Sequence, residues 1–443
     1  MPRQKLTCDC LVIGSGPGGA ITATLLAEAG IDVILAEEGP HIPVGKVPSY
    51  SLQEMDLKYR NGGLNVSFGK EKVSYLEGCC VGGASEINAG LYHRPLIGTL
   101  NDWAKDFCIK DFTADSLEKF FTANEHQMAI GNYPGNLPMA SQLIRDAAEK
   151  LGWQNSEIPR MWHYGSGKRQ SMSEIFIPRF LKAGGRLMAG LRIQRLNIKG
   201  EKAKEATSRT KRISFNHVFV CGGAIQTPVL LRRSGIRNNV GNGLRMHPAV
   251  RVVARFGHDV NDLNEGVPVY QVSEFKPQIT LGGSFSGKPH LALWLAGCAD
   301  FAKILKEHKR MVIFYALIMA LSTGKVRALP FVDEPVVTLP MVQKDWDLLH
   351  TGLGHLEKLA KAAGAKEIIK SQRIDLSTIH LFCSCPMGED KTRCAVDSFG
   401  KAHGHDNIYL NDASILPSSP GVNPQATIMA IARRNADHFL EHL

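Results

Sequence analysis

Cys10-Leu-Val-Ile13-Gly14-Ser-Gly16-Pro17-Gly18-Gly19-Ala20 opens a segment that continues through Ala29 to Asp32-Val-Ile-Leu-Ala36-Glu37-Glu38. The apolar run before Gly14 has strand length. Ala20 to Ala29 is small and aliphatic, as a buried helix requires, and Asp32 to Ala36 reads as a second strand. Strand, glycine turn, helix, strand and acid in this spacing describe a dinucleotide-binding unit. Gly14 permits the sharp turn, Gly16 lets the backbone approach a pyrophosphate, and Gly19 lets helix and strand pack closely. Pro17 and Gly18 belong to the same cofactor-binding turn. The helix start offers unbonded N–H groups and partial positive charge to phosphates. Glu37 or Glu38 is placed to accept ribose hydroxyls, which argues against a 2′-phosphate. The competing reading is a tight turn in an unrelated α/β fold, and this unit alone does not separate NAD from FAD.

The surrounding 443 residues fit that reading. They are 44% hydrophobic and 21% charged, enough for one large domain or two interleaved ones. The 43 glycines and 22 prolines are dispersed, which implies many tight turns and no low-complexity tract. Net charge is +10, with basic residues concentrated between Lys182 and Arg212. No aromatic residues interleave with those charges as a single-strand reader would need, so a solvated hairpin is expected and nucleic acid is not. Met1 to Thr7 has no apolar core of signal-peptide length. The longest apolar run, Met311 to Leu321, falls short of the ~20 residues of a membrane helix and reads as a buried strand. The ten cysteines are expected to be free thiols, which with the lack of a leader implies a cytoplasmic protein.

Four further segments resemble the glucose–methanol–choline (GMC) oxidoreductases. The first is Gly78-Cys-Cys-Val-Gly82-Gly83-Ala84-Ser85-Glu-Ile-Asn88, followed by Tyr92, Pro95 and Asn101-Asp-Trp103. The second is Gly222-Gly223-Ala224-Ile-Gln-Thr227-Pro228 with Ser234-Gly235-Ile236, after the strand Val218-Phe-Val220. Leu244-Arg-Met-His247-Pro248 is the third. The fourth runs from His380 through Met387-Gly388 and Val396-Asp397 to Asp412-Ala413-Ser414 and Gly421-Val-Asn423-Pro424, ending in a helix. The resemblance implies FAD as cofactor, a small-molecule alcohol as substrate, and oxygen or a quinone or haem carrier as electron acceptor. It places cofactor contacts at Gly82, Gly83, Ser85, Asn88, Asp412, Ala413, Asn423, Pro424 and Gln425, beside the turn residues and Glu37. Where some members tether the flavin through histidine, this chain has Ile87, so the flavin is expected to be held non-covalently.

Taking a hydride from an alcohol carbon requires a base for the hydroxyl proton and stabilisation of charge reaching the flavin. His380, eight residues before Gly388, matches the family's catalytic histidine. Asn423 stands at the partner position, and Pro424 opens a last helix, Gln425 to Leu440, whose N-terminus would face the reduced flavin. Taken alone His380 is better read as a satisfied histidine at a strand end, and Asn423 could be a helix cap before proline. His247, His403 and His405 carry no such support and are read as structural or surface residues. Cys383 replaces a usual glycine near the base and is a candidate for the substrate pocket.

The expected fold is α/β: a discontinuous Rossmann-like FAD-binding domain (1–100, 190–250, 378–443), connecting segments (101–189), and an antiparallel-sheet α+β substrate domain (251–377). The first choice of substrate is a hydrophobic or secondary-metabolite alcohol, with a sugar or choline-like alcohol second. Other classes are a non-redox flavin-dependent lyase of the same fold, or a zinc protein using His380, Cys383, Cys385 and Cys394, with His403 and His405 nearby. No metal is assigned in the preferred reading.

Overall fold

The computed structural model describes residues 3–261, 266–295, 298, 300–370 and 376–443. Strand β1 (Gln4–Ile13) alternates exposed and buried residues at first and is then buried without break from Cys10 to Ile13. Continuous burial is what a central strand covered on both faces demands. It pairs in parallel with β2 (Val33–Ala36), and the two are joined by helix α1 (Pro17–Glu28). Strand β3 (Arg186–Met188) extends the sheet beside β2. On the other side lie β6 (Lys211–Val220), parallel to β1, and the antiparallel ribbon of β4 (Ile193–Lys199) and β5 (Lys202–Ser208). Ile408–Leu410 completes this seven-stranded sheet, parallel to the end of β6. The ribbon is the basic segment, and Lys199, Lys202 and Lys204 on it are exposed, as expected of a solvated hairpin.

A second, nine-stranded and mostly antiparallel sheet is built around β7 (Ala249–Arg255). Its centre runs β7–β10–β9–β8, with β8 Tyr270–Val272, β9 Ile279–Ser284 and β10 Met311–Ile318. Strand β10 is the long apolar run, and it is buried except at Tyr315 and Leu317. On the far side of β7 stands β11 (Leu376–Thr378). The sheet also takes Asn65–Val66, Val73–Tyr75 and Asn155–Glu157 from outside the span 251–377, and β7 itself straddles the expected boundary at residue 250. These strands are two or three residues long, too short for periodicity to announce them.

Val250, Val252 and Ala254 of β7 pack with Phe314 and Ala316 against Leu349, Leu356 and Leu359 of helix α4 (Gln343–Ala362). The opposite face carries Arg251, Val253 and Arg255, the period-2 alternation of a strand. Val253, Met311 and Ile313 are covered there by Leu291 and Leu295 of helix α3 (Lys288–Leu295). Helix α2 (Gly223–Arg233) follows β6, and the chain's last helix is α5 (Gln425–Glu441), buried along most of its length against α1. Among the described residues no helix is long and apolar enough to cross a membrane.

Candidate functional site

The turn after β1 has glycine where backbone meets backbone. Gly14 has φ +99°, and a Cβ there would lie 2.3 Å from the Cys221 carbonyl oxygen. At Gly18 it would lie 1.8 Å from the Asn411 oxygen, and at Gly19 1.9 Å from the Gly14 oxygen. Gly16 differs, because a Cβ there would meet nothing within 4 Å. It faces a long cleft, whose walls include Gly14, Pro17, Gly18, Glu37, Gly83, Asn88, Asp412, Ala413, Asn423, Pro424 and Gln425, with His380 at one end. Two helices start on this cleft without a side-chain cap. In α1 the first amide to bond back is that of Ala20, to Gly16, and in α5 that of Ile428, to Pro424. The earlier amides leave donors and positive dipole ends for an anionic ligand.

The acids of the cleft are held differently. Burial pushes the Glu37 carboxyl up, while bonds from the Gly39 amide and the Ser15 hydroxyl and amide (2.9, 2.7 and 2.9 Å) draw it back. Glu38 is bound to Arg60 at 3.0 Å and to Arg192 at 3.3 Å. Asp412 is also pushed up by burial, and it caps α2 through the Gly223 amide at 2.8 Å and accepts from Thr227 at 2.5 Å. Room at Gly16, two uncapped helix starts and a buried carboxylate at the end of β2 suit a dinucleotide with a pyrophosphate.

Three expected cofactor residues support the cleft from behind. Gly19 makes the helix–strand contact. A Cβ at Gly82 would strike the Glu86 carboxylate at 2.1 Å, and Ser85 donates to the Gly82 carbonyl and accepts from the Met172 amide. The loop is tied down by the buried Arg169, which donates to the carbonyls of Glu86 and Asn88. Asn88 in turn donates to the Gln425 side chain, joining the loop to the start of α5.

At the other end, His380 is 9% exposed and lines the cleft. Its Nδ1 lies 3.2 Å from Nδ1 of His247, whose Nε2 lies 2.6 Å from the Ser419 hydroxyl. Burial, with His93 second, holds the His380 imidazole down to about 3, and burial holds His93 down to about 4. His247 is depressed as well, by burial and then by His380. All three are therefore neutral near pH 7. Asn423 makes no side-chain hydrogen bond to protein among the described residues, so it does not cap α5 and its amide is left to the cleft.

Two sequence expectations are corrected. His247 is fully buried and touches His380, rather than being a structural or surface residue apart from the site. Cys383 is not in the pocket. Its φ of +70° turns it into the core of the first sheet, with its amide on the Ala413 carbonyl. The zinc set does not converge either. His403 is bonded to the Gly388 carbonyl at 2.9 Å, and the three-residue group close enough for a metal among the described residues is His438, Glu441 and His442. His93, which the sequence did not single out, joins Gln271 at 2.9 Å.

Comparison with known proteins agrees with this geometry. Models of the GMC oxidoreductase family match residues 55–249 and 320–432, and a NAD(P)-binding Rossmann-like model matches 12–71. The uncharacterized GMC-type oxidoreductase y4nJ of Sinorhizobium fredii is 34% identical, over 99% of this chain and 95% of its own length. The long-chain-alcohol oxidase FAO4A of Arabidopsis thaliana is 24% identical, over 97% of this chain and 68% of its own. Among solved structures, pyridoxine 4-oxidase from Mesorbium loti superposes with a TM-score of 0.78 at 17% identity, covering 98% of this chain and 100% of that one. Motifs, cleft and relatives agree: the chain belongs to the GMC oxidoreductase family, an oxidoreductase with FAD as its cofactor.

Proposed function

We propose that the protein oxidises the CH–OH carbon of an alcohol to a carbonyl, with His380 as the base and Asn423 holding the substrate oxygen. The observation that carries this reading is a neutral imidazole, pinned at Nδ1 by His247, at the same cleft as the uncapped start of α5 and the Asn423 amide, which has no protein partner among the described residues. Bound FAD supplies the acceptor for the electron pair of the C–H bond. Of the two tautomer settings of the histidine pair, one serves the reaction. His247 Nε2–H donates to Ser419, His380 Nδ1–H donates to His247, and His380 Nε2 keeps a lone pair for the hydroxyl proton. The start of α5 adds fixed positive dipole where negative charge builds. Gly14, Gly16, Pro17, Gly18, Glu37, Gly83, Asn88, Ala413, Pro424 and Gln425 would hold FAD, non-covalently because Ile87 offers no tether.

The relatives named long-chain-alcohol oxidases support a long apolar alcohol. A second reading, a polar alcohol, is supported by the hydrogen-bonded chain of Tyr315 and Gln271 on the second sheet and the neighbouring His93, which lies close enough to His380 to help depress it. Oxygen, or else a quinone or haem carrier, would take the electrons. Ten free cysteines support a reducing, cytoplasmic setting. The test is anaerobic mixing of FAD-loaded protein with a panel of alcohols. The expected result is bleaching of the flavin by at least one alcohol with its carbonyl as product. Conversion of a hydroxylated compound without bleaching would replace this reading with a lyase.

A further inference from the structure

The last turn of α5 carries a second group of chemistry-bearing side chains. His438, Glu441 and His442 stand at i, i+3 and i+4, the spacing that brings side chains onto one helix face. Each offers one ligand atom, a ring nitrogen from either histidine and a carboxylate oxygen from Glu441, and the three atoms all lie within 4.8 Å of one another. At 1.5 Å per residue, His438 is about 20 Å along the helix from Pro424, where α5 meets the cleft. The group is therefore separate from the flavin site.

Two contacts set these histidines for an ion. Nδ1 of His442 lies 2.7 Å from the His438 carbonyl oxygen. A carbonyl only accepts, so Nδ1 carries the proton and Nε2 keeps its lone pair, the way metal-binding histidines are oriented by a bond at the other nitrogen. The His438 ring is stacked on Phe399, 3.5 Å between centroids and 9° between planes, and lies 4.1 Å from the His442 ring. It is thus held in place before anything binds, which reduces the entropy lost on binding. Burial, then His442 and Arg434, hold the His438 imidazole below its usual range, and a ligand must be neutral. The nearby charges are engaged elsewhere. Arg434 donates to the carbonyls of Ser398, Lys110 and Asp111, and Asp397 accepts from the Phe399 and Lys401 amides. The end of the helix adds partial negative charge from its last carbonyls.

We propose that His438, Glu441 and His442 form a binding site for a divalent transition-metal ion of the zinc class, with water as the fourth ligand. Two imidazoles and one carboxylate suit zinc, nickel or copper, whereas magnesium and calcium take oxygen ligands. Ligand atoms about 2.0–2.2 Å from one tetrahedral zinc stand about 3.3–3.5 Å apart. Small rotations of Glu441 and His442, both exposed, bring the three atoms to that spacing. The ion would tie the last turn of α5 together and, through the His438 stack, brace it on Phe399. Its role is structural, at the far end of the helix whose start borders the cleft.

The test is calorimetric titration of FAD-loaded wild type with zinc chloride, beside His442→Ala and His438→Phe, which keeps the stack but offers no ligand atom. Each variant is first checked for the wild-type flavin spectrum. Wild type should take up one zinc ion per chain in a saturable step, and its Tm should rise with zinc concentration. Either histidine substitution should weaken binding at least about 10-fold, since even the partners of metal ligands are worth that much. Magnesium chloride should give no step. Cys108 is an exposed thiol, so the titration is repeated on Cys108→Ser, which should match the wild type. The proposal is overturned if wild type shows no one-to-one step, or if the step survives both histidine substitutions. Loss of the step in Cys108→Ser, or equal binding of magnesium, overturns it as well.

Discussion

His247→Ala removes a side chain that touches neither the expected flavin nor the substrate, yet it should slow the reaction. In the wild type His380 Nδ1–H has an acceptor 3.2 Å away in a fully buried ring. Without that ring the base-competent tautomer carries a buried donor with no partner, a cost of about 1–3 kcal/mol. The other tautomer escapes the cost by turning its proton toward the cleft, where it no longer accepts from an alcohol. The competent population therefore falls about 5- to 150-fold. The assay is rapid mixing of reducing alcohol with FAD-loaded enzyme without oxygen, read at the flavin band. The rate constant for reduction should drop within that range while the alcohol concentration at half-saturation changes little. His247→Asn, whose amide oxygen can accept the same bond, should recover part of the rate. A variant that folds, holds FAD and reduces at the wild-type rate would refute the reasoning.

Gly16→Ala and Gly19→Ala should part company. The first fills empty cleft and should weaken FAD binding while leaving the Tm of the flavin-free protein unchanged, whereas the second drives a Cβ to 1.9 Å from backbone oxygen and should destabilise by about 3 kcal/mol or more. Equal effects in FAD titration and thermal melts would contradict the cradle. Because His93 and His380 are held at about 4 and about 3, the unfolded chain takes up protons below pH 6.5 that the folded chain refuses. Stability should thus fall as pH drops from about 6.5 towards those values, by up to about 1.4 kcal/mol per pH unit for each buried histidine. Denaturant melts between pH 7.5 and 4.5 that do not move would count against their burial. Acid precipitation should release yellow flavin into the supernatant, and colour retained in the pellet would mean a covalent tether.

The strand–turn–helix of residues 4–28 was legible because each glycine answers a local backbone constraint within a few residues. His380, Asn423 and the helix after Pro424 were legible because family spacing marks them. His247 was not. It is 133 positions from His380, and the two meet because Asn242–Met246 pairs antiparallel with Leu381–Phe382, a ladder of two residues that leaves no pattern. Cys383 misled for the opposite reason. It is three residues from the base in sequence, but one positive φ sends its side chain into the core. Gly82 and Ser85 lie within the recognised signature, yet they hold the loop's shape while Gly83 and Asn88 face the cleft.

The most direct test is a comparison of FAD-loaded wild type and His380→Asn, mixed without oxygen with an alcohol that bleaches the wild type. The two should share one flavin spectrum before mixing, and the variant should then reduce about 100- to 10,000-fold more slowly, the usual contribution of a positioned base. Bleaching of His380→Asn at the wild-type rate would contradict the assignment on which the proposed chemistry depends.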